Sequence, residues 1–218
     1  MPLLVQKKLK PQGELGLWQI TEPESFFWER LDLEAEEASQ LEKFNGRRHM
    51  EWLATRYLLH HLSGRKIRAV LRKDECGKPH LENSDWHISI SHSHDLAAVL
   101  AAPFPVGIDI QIFVEKIDRI AHKYMRAEET GSLEEASRLA HLHVYWGAKE
   151  ALYKAYGRRR LDFRKHIFVE PFAYDSAKGS CLGKIVKDDF EKKYQLHYEK
   201  IGDYFLVYGM ETTKTSNP

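Results

Sequence analysis

Two prolines in a row of four, Ala102-Pro103-Phe104-Pro105, interrupt the middle of the chain between two strand-like runs, 96–102 and 106–111. Proline fixes its own backbone and cannot donate to a ladder, so the first run must end here and the second must begin afresh. A third strand-like run, 86–90, precedes them. On each side of the break, helical and extended patterns come in blocks. That order predicts an α+β fold of two lobes in one chain, 1–103 and 104–218.

The N-terminal block opens at Thr21-Glu22-Pro23-Glu24, the spacing of a capping box, with Phe26, Phe27 and Leu31 as an apolar face. Asn45-Gly46 breaks the chain before a second helix, roughly 47–62, in which Met50, Leu53, Tyr57 and His61 recur at helical spacing. Ile67, Ala69 and Leu71 alternate with arginines and predict a half-exposed strand. The C-terminal block predicts helices near 114–126, 132–142 and 145–156. Strands are expected near 167–170, 180–186, 192–199 and 203–209.

Composition excludes several classes. The longest apolar run free of charge, 96–108, contains two prolines and falls short of the ~20 residues of a membrane helix. The start, MPLLVQKKLK, lacks the apolar region of a signal peptide, so a cytoplasmic protein without membrane partner is expected. Cys76 and Cys181 have neither disulfide nor zinc spacing. The formal net charge of +1 in 218 residues argues against a polyanionic partner only as an average. Summed locally, residues 22–42 carry −7, 43–73 carry +8 and 154–166 carry +5. No nucleic-acid motif accompanies these stretches, so nucleic acid is not expected, whereas a small polyanion remains in view.

Four segments hold the residues that can do chemistry. In Val106-Gly107-Ile108-Asp109-Ile110-Gln111, period two puts Asp109 and Gln111 on one face and the β-branched residues on the other. Two oxygens on one face suit a hard cation such as Mg²⁺, and equally a plain polar face. In Trp146-Gly147-Ala148-Lys149-Glu150-Ala151-Leu152-Tyr153-Lys154, Glu150 and Lys154 lie at i, i+4, as a surface ion pair or as a carboxylate and a cation of a site. Ser91 and His92, in Ser89-Ile90-Ser91-His92-Ser93-His94, can hold a phosphate by hydrogen bonds, while His-x-His alone is weak as a metal site. Gly77-Lys78-Pro79 follows a turn.

Taken in this order and at these intervals, the four segments resemble the 4′-phosphopantetheinyl transferases of the longer, single-chain type that serves surfactin synthetase. The motifs span about residues 47–165. The resemblance implies two similar lobes related by a pseudo-twofold, with the active site in the cleft between them. It implies transfer of the 4′-phosphopantetheine arm of coenzyme A to a serine of an apo acyl or peptidyl carrier protein, with Mg²⁺ as cofactor and adenosine 3′,5′-bisphosphate as by-product. One chain would supply both sides of the cleft, so a monomer is expected.

By the same resemblance, Asp109, Glu150 and Lys154 are the expected catalytic residues. Asp109, Glu150 and Gln111 are the expected metal ligands. Arg47, Arg48, Lys78, Pro79, Ser91, His92 and Lys154 are expected to bind coenzyme A. Gln111 departs from the family's glutamate, which removes one negative charge and leaves a non-catalytic relative that binds coenzyme A or carrier proteins as the alternative. Ser89 departs from an asparagine. The run 157–165, GRRRLDFRK, is expected either to dock the carrier protein or to be a solvated loop.

Overall fold

The computed structural model describes residues 2–212. The first sheet is built from β1 (Leu3–Leu9), β2 (Gly13–Gln19), β3 (Leu71–Lys73), β4 (Pro79–Leu81), β5 (His87–Ser93) and β6 (Leu96–Ala102), in the order β1-β2-β6-β5-β4-β3. Between β2 and β3 run α1 (Glu24–Trp28), α2 (Ala35–Leu41) and α3 (Arg47–Ser63). The second sheet holds β7 (Val106–Ile112), β8 (Ile167–Val169), β9 (Lys178–Lys187), β10 (Phe190–Ile201) and β11 (Tyr204–Glu211), in the order β7-β11-β10-β9-β8. Its helices, α4 (Ile117–Tyr124), α5 (Ala127–Thr130) and α6 (Arg138–Tyr156), lie between β7 and β8. The chain is therefore a mixed helix–sheet protein with two antiparallel sheets, and it changes sheets at the two prolines.

β6 explains how three cores can share so few elements. Its sequence, LAAVLAA, is buried along its whole length. Ala97, Val99 and Ala101 face α3 together with Leu53, Leu58 and Leu62. Leu96, Ala98, Leu100 and Ala102 face Val106, Ile108 and Ile110 of β7, forming a core between the sheets. Small residues on a central strand let helix and sheet both approach it. The third core lies between α6 and β8–β11, around Tyr145, Leu152, Leu196 and Phe205.

Two glycines set the distance between α6 and the second sheet. A Cβ on Gly107 of β7 would lie 1.8 Å from the Ala151 carbonyl oxygen, and one on Gly147 would lie 2.6 Å from Val207. Both contacts are too close for a Cβ, so glycine at these positions lets α6 rest directly on β7 and β11.

Several expectations need correction. No capping box forms at Thr21: α1 starts at Glu24 behind Pro23, and the Glu22 carboxylate accepts the Trp18 indole N–H at 3.2 Å. The strand expected from Ile67 begins only at Leu71, and Ile67 is 84% exposed. The helices expected at 132–142 and 145–156 join as the single α6, since 142–145 contains no breaker, while 135–137 form a separate 3-10 turn. The β1–β2 hairpin and β4 had no counterpart in the sequence reading. No helix among the described residues is long and apolar enough to cross a membrane.

The charged stretches partly neutralise each other. Glu37, fully buried, pairs with Arg68 and lies 3.7 Å from Arg56. Arg72 pairs with Glu34, Glu36 and Glu82 at 2.6–2.8 Å. The −7 stretch thus folds back on the +8 stretch, and Arg48 and Lys73 of the latter stand outside these pairs.

Candidate functional site

Three serines at alternate positions of β5 fasten the two sheets together. Ser89, Ser91 and Ser93 accept hydrogen bonds from the backbone N–H groups of Ile108, Ile110 and Ile112 at 3.0, 3.1 and 3.2 Å. β7 is an edge strand, so these amides have no ladder partner and the hydroxyls supply one. Ser91 also donates to Asp109 Oδ1 at 3.0 Å and accepts from Lys154 Nζ at 2.9 Å. Its one donor and two acceptor positions are filled.

Lys154 comes to this point from the last turn of α6. Its Nζ donates to Asp109 Oδ1 at 2.7 Å, to the Ile108 carbonyl at 2.9 Å and to Ser91. One turn earlier on the same helix stands Glu150. Burial pushes its carboxyl up to about 7, the Asp109 carboxylate adds to the rise, and Lys154 opposes it. Two carboxylates and one ammonium thus share a mostly buried place with one negative charge in excess.

A cleft of about 300 Å³ opens beside this cluster, lined by α3 and strands of the first sheet and by the C-terminal end of α6 with the residues after it. That size is at the lower end of small-molecule sites. α3 supplies one wall through Arg48, Glu51, Trp52, Thr55 and Arg56, a single helical face. Lys73, Lys78, Pro79 and His92 come from the first sheet and its turns, and Tyr153, Lys154 and Arg159 from the second half. The cleft is strongly basic. Burial lowers Lys73, with Arg56 and Arg48 adding to the effect, and burial likewise lowers Lys78. Burial holds Arg56, stacked 3.2 Å over the Trp52 ring, at about 9 against the pull of Glu37. Cations disfavoured by burial and further by one another gain from a polyanion that neutralises them together.

The expected residues divide into groups. Arg48, Lys78, Pro79, His92 and Lys154 line the cleft. Ser91 does not: it is 5% exposed, and its hydroxyl is committed to Asp109, Lys154 and Ile110. Arg47 is exposed and absent from the cleft wall, on the side of Tyr204. Lys78 Nζ donates to the Ala155 carbonyl at 2.8 Å, tying the first sheet to the end of α6. His92 Nδ1 lies 2.9 Å from Glu51 Oε2, and burial lowers the ring's pKa. Gln111 donates its amide nitrogen to the His143 carbonyl at 2.9 Å, which leaves the amide oxygen as its acceptor group. No group of three or more His, Cys, Asp or Glu suited to a metal occurs among the described residues.

Lys149 has a different duty from its motif neighbours. It is fully buried and donates to Glu129 at 2.8 Å and to the carbonyls of Phe163 and Ile167 at 3.0 and 3.1 Å. It fastens the segment after α6 and lies away from the cleft. Of the run 157–165, Arg159 reaches the cleft, with its Nε 2.6 Å from the Cys76 carbonyl. The reading of the sequence overlooked Arg56, Lys73 and Arg159 as cleft residues. Arg56 was within reach, because it stands eight positions after Arg48 on the same helical face.

Comparison with known proteins agrees with this half of the site. Residues 105–208, from β7 through most of β11, match the family model of the 4′-phosphopantetheinyl transferase superfamily. A curated protein of Aneurinibacillus migulanus, the 4′-phosphopantetheinyl transferase gsp, is 32% identical over 111 residues, 50% of this chain. That match spans 46% of the relative, a little less than half of its length.

Proposed function

We propose, from the match of residues 105–208 to the 4′-phosphopantetheinyl transferase superfamily, that the chain moves the 4′-phosphopantetheine arm of coenzyme A onto a serine of an apo acyl or peptidyl carrier protein. The observation that carries this reading is a basic cleft ending at a carboxylate–lysine cluster, with walls drawn from the first sheet, α3 and the end of α6. Coenzyme A carries a pyrophosphate and a 3′-phosphate, and a cleft holding Arg48, Arg56, Lys73, Lys78 and Arg159 has the charge to meet both. The two halves, with their strands in the same order, act as similar lobes related by a pseudo-twofold, 1–103 and 104–218, with the reaction between them.

The donor set suits Mg²⁺. Asp109 and Glu150 offer two carboxylates, and Gln111 keeps an amide oxygen toward the same face of β7. Magnesium takes one or two carboxylates and completes its shell with water and phosphate oxygens, so three protein acids are not required. Burial, with the Asp109 charge beside it, raises Glu150, and a divalent cation held by the two carboxylates would favour their charged forms. When bound, Mg²⁺ supplies neutralisation of charge on the phosphate oxygens.

The remaining steps belong to the chain's own residues. Glu150 takes the proton of the carrier serine as its oxygen attacks the phosphorus next to the pantetheine. The new serine–phosphorus bond forms as the bond to the departing adenosine 3′,5′-bisphosphate breaks. Ser91 acts as a positioning residue, holding Asp109 and Lys154 in one arrangement. Lys154 exchanges part of its bonding to Asp109 and the Ile108 carbonyl for the phosphate. Arg158 and Arg160, beside the cleft, face the acidic surface of the carrier.

Incubation with coenzyme A, Mg²⁺ and an apo carrier protein tests the reading. Release of adenosine 3′,5′-bisphosphate that requires all three is the expected result. Coenzyme A binding without release would favour the non-catalytic relative instead.

A further inference from the structure

A second cavity, of about 190 Å³, lies along α3 from the cleft. The same elements line both at successive positions: α3 gives Thr55 and Arg56 to the cleft, then Leu59 and His60 to this cavity. Its body is apolar, walled by Leu59, Leu62, Leu81 and Trp86. Two polar atoms are buried in the wall without a hydrogen-bond partner among the described residues, Glu14 Oε2 and His60 Nδ1. A buried carboxylate oxygen left without a donor is costly, and a ligand that brings one removes the cost.

We propose that this cavity binds a small aromatic or branched-alkyl amine, with the ammonium on Glu14 and the apolar body against Leu59, Leu62, Leu81 and Trp86. The volume suits one ring with a short arm, since a dry cavity of about 150 Å³ already holds benzene. Burial and the neighbouring charges of Arg68 and His61 keep the His60 ring neutral. In the tautomer protonated on Nε2, its Nδ1 accepts a second ammonium hydrogen. Arg65 also borders the cavity, so a carboxylate of the same size is the natural competitor.

The test titrates the full chain with 2-phenylethylamine and, separately, with phenylacetate, following tryptophan emission against a Trp86→Phe control. A saturable change that is lost in the control is expected, with a Kd on the order of 1 mM for the amine. Binding at least about tenfold weaker is expected for phenylacetate, for Glu14→Gln and for the filling variant Ala69→Leu. No saturation, tighter binding of phenylacetate, or undiminished amine binding by folded variants would each overturn the proposal. If the variants fail to fold, the comparison of amine with carboxylate on the wild-type chain decides it.

Discussion

In the first half β2 lies beneath α3, and in the second half β7 lies beneath α6; from those strands onward the sheets run β2-β6-β5-β4-β3 and β7-β11-β10-β9-β8. Arg56, Tyr57, His61 and Gly64 have the same spacing along the chain as Lys149, Glu150, Lys154 and Gly157. Arg56 approaches the buried Glu37 at 3.7 Å, and Lys149 binds the buried Glu129 at 2.8 Å. Each acid also accepts a backbone N–H three residues earlier, at the start of a short helix. One residue further along each helix the halves part company. Trp18 of β2 meets the rings of Tyr57 and His61 at 5.1 and 6.3 Å, whereas Asp109 of β7 meets Lys154 and raises Glu150.

What the halves share is scaffold, and what they do not share is chemistry. The buried base–acid pair occurs in both, so Lys149 is structural although it neighbours Glu150 in sequence. The aromatic cluster of the first half fills with ring contacts the place where the second half sets unbalanced charge. Basic side chains of the first half then complete the cleft beside that charge.

Substitution of the matched residues is the strongest way to break the comparison. Glu150→Gln is expected to cut turnover by about 10²–10⁴-fold with the fold intact, as loss of a general base does. Tyr57→Phe, at the matching place on α3, should leave turnover within about twofold. Steady-state rates of both variants decide it, and a Glu150→Gln rate above about a tenth of wild type would remove the base role.

The scaffold pairs predict a smaller, unequal effect on stability. Lys149→Met leaves Glu129 buried without a counter-charge, at a cost of about 3–5 kcal/mol. Arg56→Met should cost no more than about half of that, because Arg68 still holds Glu37. Urea unfolding measures both. Equal losses would mean that Arg68 does not hold Glu37 once Arg56 is gone.

Acidity sharpens the contrast further. The folded pKa of Glu150, about 7, lies above its ordinary 4.5, so between those values the folded chain binds more protons than the unfolded one. Without divalent cation, this group's stabilising share is present below about 4.5 and is lost as pH rises to about 7. The loss amounts to at most about 3 kcal/mol. Thermal or urea midpoints of wild type and Glu150→Gln across this range should diverge in that direction, and parallel curves would contradict the raised pKa. The smallest expected effect is at Gln111. Gln111→Glu restores a carboxylate beside Asp109 and should lower the Mg²⁺ half-saturation of turnover by about 3–10-fold. Unchanged half-saturation would assign Gln111 to anchoring α6 alone, through His143.

Much of this was legible in the sequence, for physical reasons that differ by element. The strands around the two prolines and the long helices α3 and α6 declare themselves by period and by breakers. β1 does not, because its inward pattern of Leu3 and Val5 continues into Lys7, whose charge is met by Glu199 from the distant β10. Asp109, Glu150 and Lys154 were legible as a set through motif order. The commitment of Ser91 to the seam was not, because its partners lie on a strand of the other sheet. Lys149 could be told from Lys154 only once Glu129 was placed beside it. The correspondence of the two helices lies in spacing rather than residue identity, so no repeat was visible before the sheet orders were known.

The most direct measurement is the intact mass of an apo carrier protein after incubation with the chain, coenzyme A and Mg²⁺. A gain of one phosphopantetheine arm is expected, absent when the carrier's target serine is replaced by alanine. An unchanged carrier mass, with a chain that is folded and binds coenzyme A, would contradict the assignment of the Asp109–Glu150–Lys154 cluster to transfer.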